Sequence, residues 1–158
     1  MFSSSMLDNS RTTLTITFFI LIASAFSGCT SETDPLTEDE IGDLRVIVTL
    51  DFVGQGDQTA NLADRLNDGS ITFDPIHVAP NVTAYRVMEA LQLRENFTID
   101  VTYYVGMGAF VHTIDGVSGA ADWSTYWGFY HEGEMAVVGA SSFEITSDTN
   151  LSWIITPA

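Results

Sequence analysis

The side chains able to do acid–base or metal chemistry are His77, His112 and His131, with Asp115, Asp122, Glu132 and Glu134 near them in the chain. Catalysis needs such groups to converge, and none of these stands at the spacing of a known catalytic motif. There is no Gly-x-Ser-x-Gly elbow and no His-Glu-x-x-His, and the one cysteine, Cys29, has no second thiol for a zinc site. Paired carboxylates could hydrolyse glycosides, but 21 acids in 158 residues make accidental neighbours certain. The expectation is a protein without catalytic residues, resident metal or cofactor. His112 lies among Phe110, Val111 and Ile114, a setting for a satisfied structural histidine rather than a ligand.

What the chain offers instead is rings. Thr125-Tyr126-Trp127-Gly128-Phe129-Tyr130-His131 is a dense aromatic run, followed by Glu132-Gly133 where a strand would reverse, so a hairpin is expected. In alternation, Tyr126, Gly128 and Tyr130 face one side while Trp127, Phe129 and His131 face the other. One helix can bury only one of these sets. Trp123, Tyr126, Trp127 and Tyr130 are therefore the expected ligand-binding residues, stacking on a flat or amphipathic small molecule, with Gly128 allowing close approach. The alternative is a cell-surface protein-interaction or adhesion module with no small ligand, in which the same rings serve partly as core.

Charge narrows the partners. Five Arg, no Lys and 21 acids leave a net charge of −16, which removes the basic patch that nucleic acid needs and the lysine of a phosphate-binding loop. An apolar content of 46% supports a folded core. At the N-terminus Arg11 precedes the apolar stretch Leu14 to Ala23, shorter than the span of about 20 residues a membrane helix requires. Ala25-Phe26-Ser27-Gly28-Cys29 resembles the lipobox of prokaryotic lipoproteins, although Phe26 replaces the usual aliphatic residue. Residues 1–28 are thus expected to be a signal peptide and Cys29 a lipidated N-terminus held by membrane lipid. The implied location is the cell envelope, exported and anchored on the outer face of the membrane. Residues 29–43, rich in Ser, Thr, Asp and Glu, are expected to be an acidic tether, and residues 44–158 the folded domain.

Within that domain Leu44 to Phe52 carries apolar residues at every even position, a half-buried strand. Val53 to Gly69 is a long connection with a helical turn near Leu62 to Leu66. Ile71 to Val78 reads as an edge strand interrupted by Pro75. Asn81 or Thr83 caps a helix running to Leu93, with Ala84, Val87, Met88 and Leu91 on one stripe. Further strands are expected over Phe97 to Tyr103, Ala109 to Ile114, the aromatic hairpin, Phe143 to Ile145 and Leu151 to Ile155. The expected class is α+β, β-grasp-like, a largely antiparallel sheet packed on one principal helix. Asn81, Asn96 and Asn150 stand in glycosylation sequons.

Several of these segments together resemble the transcobalamin-like C-terminal domain family, the β-rich domain that closes over cobalamin in vitamin B12 carriers and recurs in microbial surface proteins. The resemblance rests on Val82-Thr83 with Met88 to Leu91, Phe110 to Gly116, Thr125-Tyr126-Trp127 with Phe129, Val138-Gly139, and Asp148 with Trp153. It implies a β-grasp-like fold and a corrinoid as bound ligand. B12 carriers place a Trp-Gly pair where this chain has Val105-Gly106-Met107-Gly108. They also hold the other face of the vitamin with a large helical domain, so tight binding here would need a partner protein.

Overall fold

The structure, a computed structural model, describes residues 36–158. The expected signal peptide and Cys29 lie outside the described residues. Strand β1 (Leu44–Asp51) buries Val46, Val48 and Leu50 and exposes the alternate side in part. The edge segment that follows is two short strands, β2 (Ser70–Thr72) and β3 (Ile76–Val78), both antiparallel to β1 at its opposite ends. Pro75, which has no N–H to donate, falls between them. Helix α1 (Ala84–Glu95) starts where the Thr83 hydroxyl accepts from the Arg86 N–H and stops at Asn96 in the left-handed conformation.

Next come β4 (Ile99–Tyr104), β5 (Gly108–Ile114), β6 (Val117–Ser118), β7 (Thr125–His131), β8 (Glu134–Met135) and β9 (Thr149–Pro157). Strand β9 lies parallel to β1 on one side and antiparallel to β7 on the other, giving a six-stranded sheet with β2 and β3 beyond β1 and β8 beyond β7. Strands β4, β5 and β6 form a separate three-stranded sheet. This corrects the expected α+β, β-grasp-like arrangement of one largely antiparallel sheet on a principal helix. The described chain is mostly β, in two sheets, with a parallel pair inside the larger one. Alternation in sequence marks strands but carries no information on which strands share a sheet. Phe143 to Ile145 forms only an isolated bridge from Glu144 to Thr83.

The core lies on one face of the larger sheet. Ala84, Val87, Met88 and Leu91 of α1 join Val46 and Leu50 of β1 and Leu151, Trp153 and Ile155 of β9 in one cluster. Burial contributes roughly 1.5–3 kcal/mol for each such aliphatic side chain. Residues 36–43, assigned in sequence to the tether, lie against the domain. Leu36 is buried, and Arg86 donates from Nε to Glu40 Oε1 and from Nη2 to Glu40 Oε2, each at 2.8 Å. This fork holds the Glu40 carboxyl down at about 2, with the Thr37 N–H adding to it.

The long connection after β1 is tied to the smaller sheet by one carboxylate. Asp115 is fully buried and accepts from the Asn61 N–H (2.7 Å), Asn61 Nδ2 (3.0 Å) and the Leu62 N–H (2.9 Å). Its own backbone N–H donates to Thr98 O at 2.7 Å and its C=O accepts from Ala60 N at 2.9 Å. Replacing it with Ala leaves buried donors unmatched. Asp115→Ala is expected to cost about 3 kcal/mol or more, read as a lower urea midpoint. An unchanged midpoint would show that the connection is not part of the cooperative fold.

Candidate functional site

Two adjoining cavities, about 330 and 570 Å3, lie between the smaller sheet and β7. Both volumes fall in the range of small-molecule sites, roughly 300–1,000 Å3. Tyr104, Phe110, Trp123, Tyr126 and Trp127 border both. Neither wall contains an Asp, Glu, Lys or Arg, in a chain of net charge −16. Tyr104, Met107, Trp123, Met135, Val137 and Val138 are exposed apolar residues and all line the larger cavity, so the exposed apolar surface of the domain is concentrated at this mouth.

The strands set the rings by local irregularities. A bulge between β4 and β5 pairs Asp100 with Thr113 and Val101 with Val111, leaving His112 as the extra residue. Along β5, Ala109, Val111 and Thr113 are buried, while Phe110 and His112 turn to the smaller cavity. Phe110 touches Tyr104 edge-on at 6.3 Å and Trp123 at 5.9 Å between ring centres, a continuous aromatic row. Trp123 is 57% exposed and has φ +64°, a conformation that a bulky residue adopts only when its surroundings enforce it. The enforcing contacts are Trp123 N–H to Ala120 O at 2.9 Å and Ser124 N–H to the Asp122 carboxylate at 3.0 Å. The Ser124 hydroxyl and N–H hold the Asp122 carboxyl below its ordinary range.

Of the four residues expected to bind a ligand, Trp123 and Tyr126 present surface to the cavities. Tyr126 reaches across to β8, its hydroxyl donating to Met135 Sδ at 3.8 Å. Trp127 is only 2% exposed; its indole N–H donates to Val117 O at 2.9 Å and its ring meets Phe52 edge-on at 5.2 Å. Tyr130 shares a face of β7 with Tyr126 but is bonded through its hydroxyl to Thr156 Oγ1 of β9 at 3.0 Å, and borders neither cavity. Gly128 is needed there, because a Cβ would stand 2.9 Å from both the Tyr130 ring and Thr156 Oγ1. The sequence reading missed Tyr104 and Phe110. Both parities of β5 carry apolar residues, so alternation could not show which ring faced the cavity; the available signal was Phe110 alternating with the polar His112.

The titratable groups do not gather at the cleft. Asp115 serves the fold, His77 is exposed on β3, and His131 packs on Phe143 at 4.7 Å. Glu132 accepts from Asn150 Nδ2 (3.0 Å), the Asn150 N–H (2.7 Å) and Thr149 Oγ1 (2.9 Å), which hold its carboxyl below the usual range. That clamp fixes the β7–β8 turn, where Glu132 and Gly133 have φ +49° and +82°. Only His112 lines a cavity, with Nδ1 3.0 Å from Thr113 Oγ1. Among the described residues no three His, Cys, Asp or Glu side chains converge as metal ligands.

Residues 81–156 match a domain family of unknown function, DUF4430. No curated protein is significantly similar to the chain. Among solved structures, one from Ruminococcus gnavus ATCC 29149, to which metal binding is provisionally ascribed, is 16% identical with a TM-score of 0.53, over 73% of this chain and 99% of its own. Haptocorrin in complex with Cbi is 20% identical with a TM-score of 0.51, over 72% of this chain but only 25% of its own. At these identities the likeness is one of fold: residues of this chain fold as a quarter of haptocorrin does, a transcobalamin-like fold.

The segment bearing Trp123 is packed onto β7 with no space at Gly119, where a Cβ would lie 2.5 Å from Thr125 O and 2.8 Å from Tyr126 Cα. Gly119→Val is therefore expected to push that segment off β7 and separate Trp123 from Phe110. The near-ultraviolet circular dichroism of the aromatic row should fall while the far-ultraviolet spectrum persists. Unchanged near-ultraviolet bands would show that the row does not depend on this packing.

Proposed function

We propose that the domain is a non-catalytic module that binds a flat or amphipathic small molecule of no net negative charge in the ring-lined cleft. The observation that carries this is the lining: two adjoining cavities whose walls hold no Asp, Glu, Lys or Arg, inside a protein of net charge −16. Elsewhere on so acidic a surface an anion is repelled, whereas aromatic faces hold neutral planar ligands without charge. Corrinoids are the first class to test, because the fold likeness includes haptocorrin holding Cbi and the aromatic strand resembles that of the transcobalamin-like family. Trp123, Tyr126, Tyr104 and Phe110 are the contact residues. The module is exported and anchored in the cell envelope through a lipid on Cys29, and it has no role with nucleic acid.

Val105 and Val137 are fully exposed, Val137 in the lining of the larger cavity and Val105 next in the chain to Gly106, which also lines it. They favour a partner surface protein closing over the cleft. With no small ligand, the same rim would serve the alternative function of protein interaction or adhesion.

Titration of the protein with cyanocobalamin and cobinamide, followed by tryptophan emission corrected for ligand absorbance, should give dissociation constants well below millimolar. Trp123→Ala should weaken binding by about tenfold and Tyr130→Ala should leave it unchanged. Millimolar affinity across a panel that also includes heterocyclic and amphipathic metabolites would favour the interaction module. For the anchor, Cys29→Ser should move the protein from the membrane fraction to the medium or leave an unprocessed precursor. Unchanged mass and partitioning would sink the lipoprotein assignment.

A further inference from the structure

Strand β7 has one open rung, and the pattern of hydrogen bonds around it says what can fill it. In an antiparallel ladder alternate residues direct both backbone groups to the same neighbour. Glu132 donates to Asn150 O at 2.9 Å and Ser124 O accepts from Ala158 at 3.1 Å, so even-numbered residues of this stretch face β9. Odd-numbered residues face the cleft side. There, Thr125 O accepts from the Ala120 N–H at 3.0 Å and Phe129 O accepts from the Ala136 N–H at 2.9 Å. Between them Trp127 directs its N–H and C=O to the same side, and among the described residues neither has a partner. Trp127 is 2% exposed and borders both cavities. A buried backbone donor and acceptor left open at the seam of two cavities is uncommon in a finished fold.

Resting on the ligand-binding role proposed above, we infer that this rung takes a single carboxamide of the bound molecule. The Trp127 N–H donates to the amide oxygen, and the Trp127 C=O accepts from the amide N–H. An amide carries acceptor and donor side by side in one plane, as the missing strand residue would. A carboxylate offers only acceptors and an ammonium only donors, so each leaves one group of the rung unmatched. An added peptide strand does not fit. Thr125 O and Phe129 O are already occupied, and the stretch between these residues spans only about 13 Å at about 3.3 Å per residue. The neighbouring rings Tyr126, Phe110 and Trp123 supply apolar faces for the body of a molecule whose amide points at β7.

The chain has three tryptophans, so the full-length protein in detergent, labelled with 15N-tryptophan, shows one backbone N–H signal each for Trp123, Trp127 and Trp153. The probes are 2-naphthamide, 2-acetonaphthone, which keeps the carbonyl but has no N–H, and a capped pentapeptide of alternating Val and Thr. The expected result is that 2-naphthamide binds about tenfold more tightly than the ketone and moves the Trp127 N–H downfield, while the Trp153 N–H stays in place. Equal binding of amide and ketone with the Trp127 N–H unmoved overturns the rung and leaves the ring-lined site standing, since the Trp123 indole would still respond. Binding by the peptide as tight as by 2-naphthamide, with the Trp127 N–H shifted, overturns the single-amide assignment in favour of strand addition. If no probe moves any tryptophan signal, both this inference and the ligand-binding role fail.

Discussion

The indole of Trp127 ties the two sheets together. Its ring lies on the core side of β7, edge-on to Phe52, while its N–H reaches the Val117 carbonyl in β6 of the smaller sheet. A buried indole N–H without an acceptor would be costly, so this bond sets the distance at which the β4–β6 sheet can stand from β7. The space left between them is the cleft. Because the bond uses the ring of Trp127 and not its backbone, the same residue both closes the core and leaves its main chain available at the seam.

The walls of the cleft are attached at two further places. The segment before β7 is held by Ala120 on Thr125, with Gly119 packed against the strand, and the segment after β8 is held by Ser141, whose hydroxyl accepts from the Ala109 N–H at 2.8 Å. Gly139 belongs to the same attachment: a Cβ there would fall 2.0 Å from Met107 O. These contacts are short and mostly between main-chain atoms. They give the cavity a built shape while leaving its mouth to apolar side chains that nothing in the domain covers. Such a division, rigid main-chain walls and a soft apolar rim, suits a site that receives a ligand and is then closed from outside.

Charge acts by its placement. The ion pairs among the described residues, Arg65 and Arg94 with Glu95 and Arg86 with Glu40 and Glu89, all involve α1. At the cleft no such pair exists among the described residues, and Asp122 and Glu132 are turned into local turn and strand contacts. That the lining holds no Asp, Glu, Lys or Arg is thus set by where α1 and the turns sit, which the net charge of the chain does not reveal.

Much of the local structure was legible in the sequence. Period-two alternation located β1 and β7, the Thr83 cap and apolar stripe located α1, and Glu132-Gly133 marked the reversal after β7. These are short-range patterns, decided by backbone sterics and by which side chains can share a face. The composition also carried the expectation that nucleic acid is not a partner, since five arginines against 21 acids offer no basic patch. What only the tertiary structure decided is how strands were shared between two sheets, and therefore which rings were spent on the core. Trp127 and Trp123 are alike in sequence, but one has an acceptor and Phe52 within reach and the other is held outward by a left-handed backbone. The partition depends on contacts between residues far apart in the chain, such as Thr125 with Pro157 and Asn61 with Asp115, and no local period encodes those.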